Sequence, residues 1–137
     1  MVPNAGKIAI LANSLYGAGA ENLILKLGQT NVTPSETDVP GTYSECNFTG
    51  YAAVTLTASQ TGGTWSVPTI TANLAISTYA VNAVFSITSG SQTVYMFYLV
   101  GASSGILYYS EAFPAGKPIS GPSDTITLTP KIAQGHL

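Results

Sequence analysis

The stretch Gln92–Ala112, QTVYMFYLVGASSGILYYSEA, constrains the fold more than any other. Two apolar, aromatic-rich runs, Val94–Val100 and Ile106–Tyr109, flank the small-residue segment Gly101–Gly105. Runs of Val, Ile, Tyr and Phe joined by a short glycine-containing loop predict a β-hairpin. Val94–Val100 holds no polar group except tyrosine hydroxyls. A run apolar at both parities predicts a strand covered on both faces. The second run cannot turn inward at every residue, because strand neighbours point to opposite faces. One of Tyr108 and Tyr109 is therefore expected at the surface or at a subunit interface, where tyrosine is enriched.

The other predicted strands are short. Leu23, Leu25 and Leu27 alternate with Asn22, Ile24 and Lys26 over Asn22–Gly28. Tyr51–Thr57, Trp65–Val67, Ile70–Ser77, Val81–Ile87 and Asp124–Thr129 follow, with turns at Gln60–Gly63 and Ser89–Ser91. The last strand should end at Pro130, and Pro114–Pro122 reads as a connection. The one predicted helix is residues 4–16, with Ile8, Leu11, Ala12 and Leu15 on one face and Gly17 as its stop. Its preferred role is a lid over an open end of the β-structure; the alternative is an arm packing on a neighbouring subunit. The expectation is one domain, residues 1–137. It is mainly β, an antiparallel jelly-roll-like β-sandwich with one N-terminal helix.

Composition narrows the function classes. Charged residues are 7% of the 137, against about 25% in ordinary globular proteins. The four lysines, Lys7, Lys26, Lys117 and Lys131, are scattered and there is no arginine. Neither nucleic-acid binding nor a polybasic membrane patch is expected from such a pattern. No apolar run reaches the ~20 residues of a membrane span, and the N-terminal run is too short for a signal peptide. An uncharged polar surface lacks the usual electrostatic guard against association, which suits a protein packed against neighbours.

Catalytic machinery is not expected. The single histidine, His136, lies beside the C-terminus, a poor place for a braced base. Cys46 is the single cysteine and reads as a small buried apolar residue. A zinc site needs more ligands than these two. Glu111 at a strand end is read as a solvated charge. Gln29–Gly50 is a long irregular stretch with Pro34, Glu36, Asp38, Pro40 and Glu45. Loops of this length are usually functional, but these acids lack calcium-loop spacing. No metal or other cofactor is expected.

Four motifs occur in order: Pro3-Asn4-x-Gly6 opening the helix; Leu25-Lys26-Leu27 with Asn31, Thr33, Pro34 and Ser35; Phe48–Ala52, FTGYA; and Asp124-x-Ile126-x-x-Thr129-Pro-Lys-Ile132. Their order and spacing resemble a group of small structural proteins of tailed-bacteriophage virions. The resemblance implies a non-enzymatic virion component and assigns no catalytic or binding residue. The reading that follows is a capsid decoration (cement) protein bridging major-capsid subunits, self-associating as a homo-oligomer. The alternative is a receptor-binding or adhesion module of a tail fibre or baseplate. Expected partner contacts are Ile8, Leu11 and Leu15 on the helix, Pro34, Glu36 and Asp38 in the loop, and the aromatics Trp65, Tyr108 and Tyr109.

Overall fold

The computed structural model describes residues 3–59 and 64–135. The expected turn at 60–63 and His136 lie outside the described residues. The protein is mainly β, with one N-terminal helix and small antiparallel sheets. Its contacts divide it into two compact units. One comprises 1–22, 56–82 and 129–137, the other 23–55 and 83–128.

The first unit holds helix α1 (Asn4–Tyr16), which is the helix expected from the periodicity. Lys7, Leu11 and Leu15 form its buried stripe, one residue every four, with Ile8 and Ala12 half-buried beside them. In chain order the strands among the described residues are β1 (Leu23–Gly28), β2 (Val54–Leu56), β3 (Thr69–Thr71), β4 (Leu74–Thr78), β5 (Ala83–Ser86), β6 (Ser91–Gly101), β7 (Leu107–Ser120), β8 (Thr125–Leu128) and β9 (Lys131–Gln134). In the first unit β3, β4 and β9 make a three-stranded sheet, and α1 packs on β4 and β3.

Here the expected strand Ile70–Ser77 is two strands. Ala72 (φ 48°) and Asn73 (φ 66°) form a two-residue reversal, with Thr71 opposite Leu74. Positive φ at both loop residues matches strand twist in the tightest hairpins. The alternation restarts after the reversal, so the fully buried positions are Ala75 and Ser77, while Leu74 is exposed and Ile76 half-buried. Lys7 closes the turn: its buried ammonium donates 2.7 Å to the Asn73 carbonyl. Residues 64–66 run along 78–80, and Trp65 meets Tyr79 edge-on at 5.2 Å. The expected strand 65–67 thus reduces to a bridge between Trp65 and Tyr79. Asp124–Thr129 is also not the last strand. Pro130 is buried, and β9 follows it to pair with β4.

The second unit holds the sheet β2-β1-β6-β7 and the pair β5-β8. Leu23, Leu25 and Leu27 of β1 are buried, as their alternation requires. β6 sits between β1 and β7, and Val94 and Met96–Val100 are buried at both parities, with Tyr95 half-buried. The first strand of the opening hairpin is therefore the covered centre of this sheet. The second strand is longer than expected. β7 runs on through Pro114 and Pro118, with Lys117–Ser120 paired to Val94–Ser91. The register shifts between Val94 and Met96, so four residues, 113–116, stand against Tyr95 alone. That bulge accommodates Pro114, which has no N–H to give the ladder.

Candidate interaction surface

The long loop after β1 is a closed strap. At its neck Gln29 N–H donates to the Ser44 carbonyl (2.9 Å) and Cys46 N–H to the Leu27 carbonyl (2.8 Å). Gln92, at the start of β6, joins both ends of the strap. Its amide nitrogen donates to Gln29 Oε1 (3.0 Å) and Asn47 Oδ1 (2.8 Å), and its Oε1 accepts from Asn47 N–H (3.1 Å).

Glu45 anchors the next turn of chain. It accepts from the Lys26 ammonium at 2.9 Å and from the Tyr51 hydroxyl at 2.9 Å. Tyr51 in turn accepts Leu27 N–H at 3.1 Å and stacks on Phe85 with ring centroids 5.8 Å apart. Burial pushes the Tyr51 hydroxyl up; the Leu27 N–H opposes this and Glu45 adds to it. Burial, with a smaller contribution from the Glu45 charge, pushes the Cys46 thiol up to about 12. A thiol held neutral in this way is a packing group and not a nucleophile. Gly50, between these anchors, has φ 96°, and a Cβ there would lie 2.7 Å from the Ser86 carbonyl oxygen. No other residue fits both conditions, which explains the glycine of FTGYA.

The middle of the strap crosses to the hairpin. Tyr43 is buried against Met96, Tyr98 and Val100, with Leu107 beside them. Its hydroxyl donates to Asp38 Oδ2 at 2.7 Å and lies 3.0 Å from Ser110 Oγ on β7. The same Asp38 oxygen accepts Ser35 N–H at 2.8 Å. One tyrosine thus fixes the strap to one face of the hairpin. Tyr43→Phe removes both polar links without a cavity. The expected cost is about 1 kcal/mol, since two half-buried acceptors, Asp38 and Ser110, lose their donor. Native-state hydrogen exchange should show faster exchange confined to about residues 35–44, with β6 unchanged.

Apolar side chains remain exposed on the two segments that Tyr43 ties. Val32 and Val39 lie on the strap, Ile106 (58% exposed) and Tyr108 (39%) on the hairpin. The opposite face of the hairpin carries an aromatic row. Phe97 lies 6.0 Å from Tyr109 and 6.3 Å from Phe113, and the Lys117 ammonium sits 4.5 Å over the Phe113 ring. Tyr109 donates to Glu111 at 2.7 Å, and burial followed by that carboxylate raises its pKa.

The expected contact residues divide between these environments. Asp38 and Tyr108 lie on the segments joined by Tyr43, with Pro34 half-buried and Glu36 exposed on the strap. Tyr109 is half-buried in the aromatic row. Leu11 and Leu15 are buried in the helix stripe, and Ile8 is half-buried. Trp65 corrects the expectation of an exposed aromatic: it is 1% exposed, and among the described residues its Nε1 has no hydrogen-bond partner. Sequence reading missed Tyr43, Tyr51, Gln92 and Ser110, whose partners lie up to 67 positions away. Among the described residues no three His, Cys, Asp or Glu side chains gather as metal ligands, and no helix is long and apolar enough to cross a membrane.

No protein-family model, curated protein or solved structure matches the chain.

Proposed function

We propose that this chain is a non-enzymatic structural protein of a tailed-phage virion. On this reading it is a capsid decoration protein, on a jelly-roll-like β-sandwich, that bridges major-capsid subunits and stabilises the shell. The motif resemblance supplies the class. The observation that carries the mechanism is the strap: Tyr43 holds it on the hairpin, so exposed apolar side chains from both segments are fixed before any partner arrives. A surface ordered in advance loses less entropy on docking, and repetition over a shell multiplies modest contacts. The near absence of charge lowers the desolvation cost of covering it.

The test is co-sedimentation with empty capsids built from the accompanying major capsid protein. Binding is expected, and Val39→Asp with Ile106→Asp, at two side chains each 58% exposed, should weaken it while leaving thermal unfolding nearly unchanged. A protein that stays in the supernatant overturns the reading.

The half-buried rings of Tyr109 and Phe113, which rest on the buried Phe97, support a second reading, an adhesion module that stacks sugar rings on aromatics. Glycan-array binding lost on Tyr109→Ala would favour it. Trp65→Ala is not a useful probe of that idea, because Trp65 is buried and its loss reports on folding.

A further inference from the structure

The start of the hairpin, beyond the 113–116 bulge, holds an open cavity of about 490 Å³. Ser91, Gln92 and Thr93 of β6 and Pro118, Ile119 and Ser120 of β7 line it. Sites for small molecules span about 300–1,000 Å³. Ser91 stands opposite Ser120, and Thr93 opposite Pro118, so these four side chains share one face of the ladder. Gln92 and Ile119, paired between them, point to the other face. Ile119 is buried there, and the Gln92 amide is engaged with Gln29 and Asn47 at the neck of the strap. The cavity floor is thus braced from behind. Ser120 is braced as well: Asp124 Oδ2 accepts its N–H at 2.8 Å and its hydroxyl at 3.3 Å. Beside Thr93 the ring of half-buried Tyr95 lies over Gly116. A Cβ at 116 would sit 2.6 Å from that ring and 2.9 Å from the Thr93 methyl, so glycine lets the ring lie against the strand.

We propose that this cavity binds a neutral sugar ring, one hexose unit of a glycan. A hexose has a hydroxyl edge and an apolar C–H face, and the cavity offers a complement to each. Ser91, Thr93 and Ser120 bring three hydroxyls. The Ser120 hydroxyl gives its proton to Asp124 and keeps its lone pairs to accept from a ligand. Pro118, the Thr93 methyl and the neighbouring Tyr95 ring bring apolar surface, and an aromatic face suits the C–H face of a sugar. None of the six lining residues is charged. The charge in contact with them is the Asp124 carboxylate, which opposes an anion, while the Lys117 ammonium is turned onto the Phe113 ring. Walls held in place before binding lose little entropy on binding. This site lies across the bulge from Tyr109 and Phe113 and does not rest on the capsid reading.

The test is an NMR titration of the isotope-labelled full-length protein with lactose, maltose and diacetylchitobiose, and with glucuronate as the anionic control. At least one of the three neutral sugars is expected to give saturable shifts at the amides of Ser91, Thr93 and Ser120. Glucuronate should bind more weakly than that sugar. Thr93→Val keeps the shape of the side chain and removes its hydroxyl, so it should weaken binding about fivefold, the equivalent of one hydrogen bond. Its own spectrum shows that it is folded. Four results overturn the proposal: no saturable shift with any of the three sugars, shifts confined to Tyr109 and Phe113, glucuronate binding as tightly as the neutral sugar, or undiminished binding by a folded Thr93→Val. Capsid co-sedimentation reads none of these, so the two readings fail separately.

Discussion

Tyr98→Ala and Leu99→Ala, adjacent in β6, should each destabilise the protein by several kcal/mol. Neighbours in a strand point to opposite faces, so the pair probes both sides of the sheet at one place. Tyr98 is 2% exposed and lies in the cluster with Tyr43, Met96 and Val100, its ring 5.2 Å from that of Tyr43. Leu99 is fully buried, opposite Leu25 on β1 and Tyr109 on β7. Truncating a large buried aromatic costs about 3–5 kcal/mol and truncating a buried leucine about 2–5, because the cavity relaxes only in part. Against a total stability of about 5–15 kcal/mol either change brings the protein near its unfolding threshold. Urea titration read as a shift of the midpoint is the measurement. If one variant loses less than about 1 kcal/mol, the face it points to is not covered as the structure has it. The two variants also differ in a second reading. Tyr98→Ala removes the ring on which Tyr43 rests, so it should loosen the strap, and Leu99→Ala should not.

The contrast with β4 shows which parts of the fold were legible in the sequence. β6 is apolar at both parities, and that pattern has one simple solution, a central strand. Ile70–Ser77 alternates cleanly, yet the alternation hides a reversal at Ala72-Asn73 that no glycine or proline marks. Asparagine tolerates positive φ, but alanine gives no warning of it. The phase of the strand then inverts, and Ala75 and Ser77, not Leu74 and Ile76, become the most buried positions. β7 was misjudged for the opposite reason. Its prolines read as a connection, whereas on a sheet edge, beside a bulge, they are compatible with pairing. The interaction surface was half legible. Length and composition singled out the strap and the hairpin separately. What joins them is a single tyrosine whose two partners, Asp38 and Ser110, are 5 and 67 residues away. The motifs that carry the family resemblance hold the fold rather than a site. Gly50 fits where no side chain can, Tyr51 satisfies Leu27 N–H, and Asp124 accepts from Ser120 N–H at 2.8 Å and closes the turn before β8.

Alkaline unfolding should be cooperative and should occur between about pH 10 and 12, because the folded state holds protons that the unfolded chain releases. Burial is the leading cause in each case. It pushes Tyr98 up to about 12 and raises Tyr43, Tyr51 and Tyr109, with the Cys46 thiol also at about 12. The sign follows from proton counting. Below the unfolded tyrosine value of 10.0 both states are protonated, and the stabilising contribution is complete. As pH rises through the window to the folded value, the unfolded chain binds fewer protons than the folded one, so stability falls. The slope is about 1.4 kcal/mol per pH unit for each such group, less for the half-exposed Tyr109, where solvent screens the carboxylate. Cys46 begins earlier, from its ordinary value of 9.0. Several groups acting over one to two units match the whole stability of a small domain, so unfolding precedes their titration in the folded state. Tyrosinate absorbance followed with circular dichroism tests this. The buried tyrosines should appear together with the loss of β-structure and with the first reaction of Cys46 toward a thiol reagent. If Tyr51 and Tyr98 titrate at the ordinary tyrosine value of 10.0 while the β-signal persists, they are not enclosed, and the anchoring of the strap through Glu45 and Tyr43 fails with them.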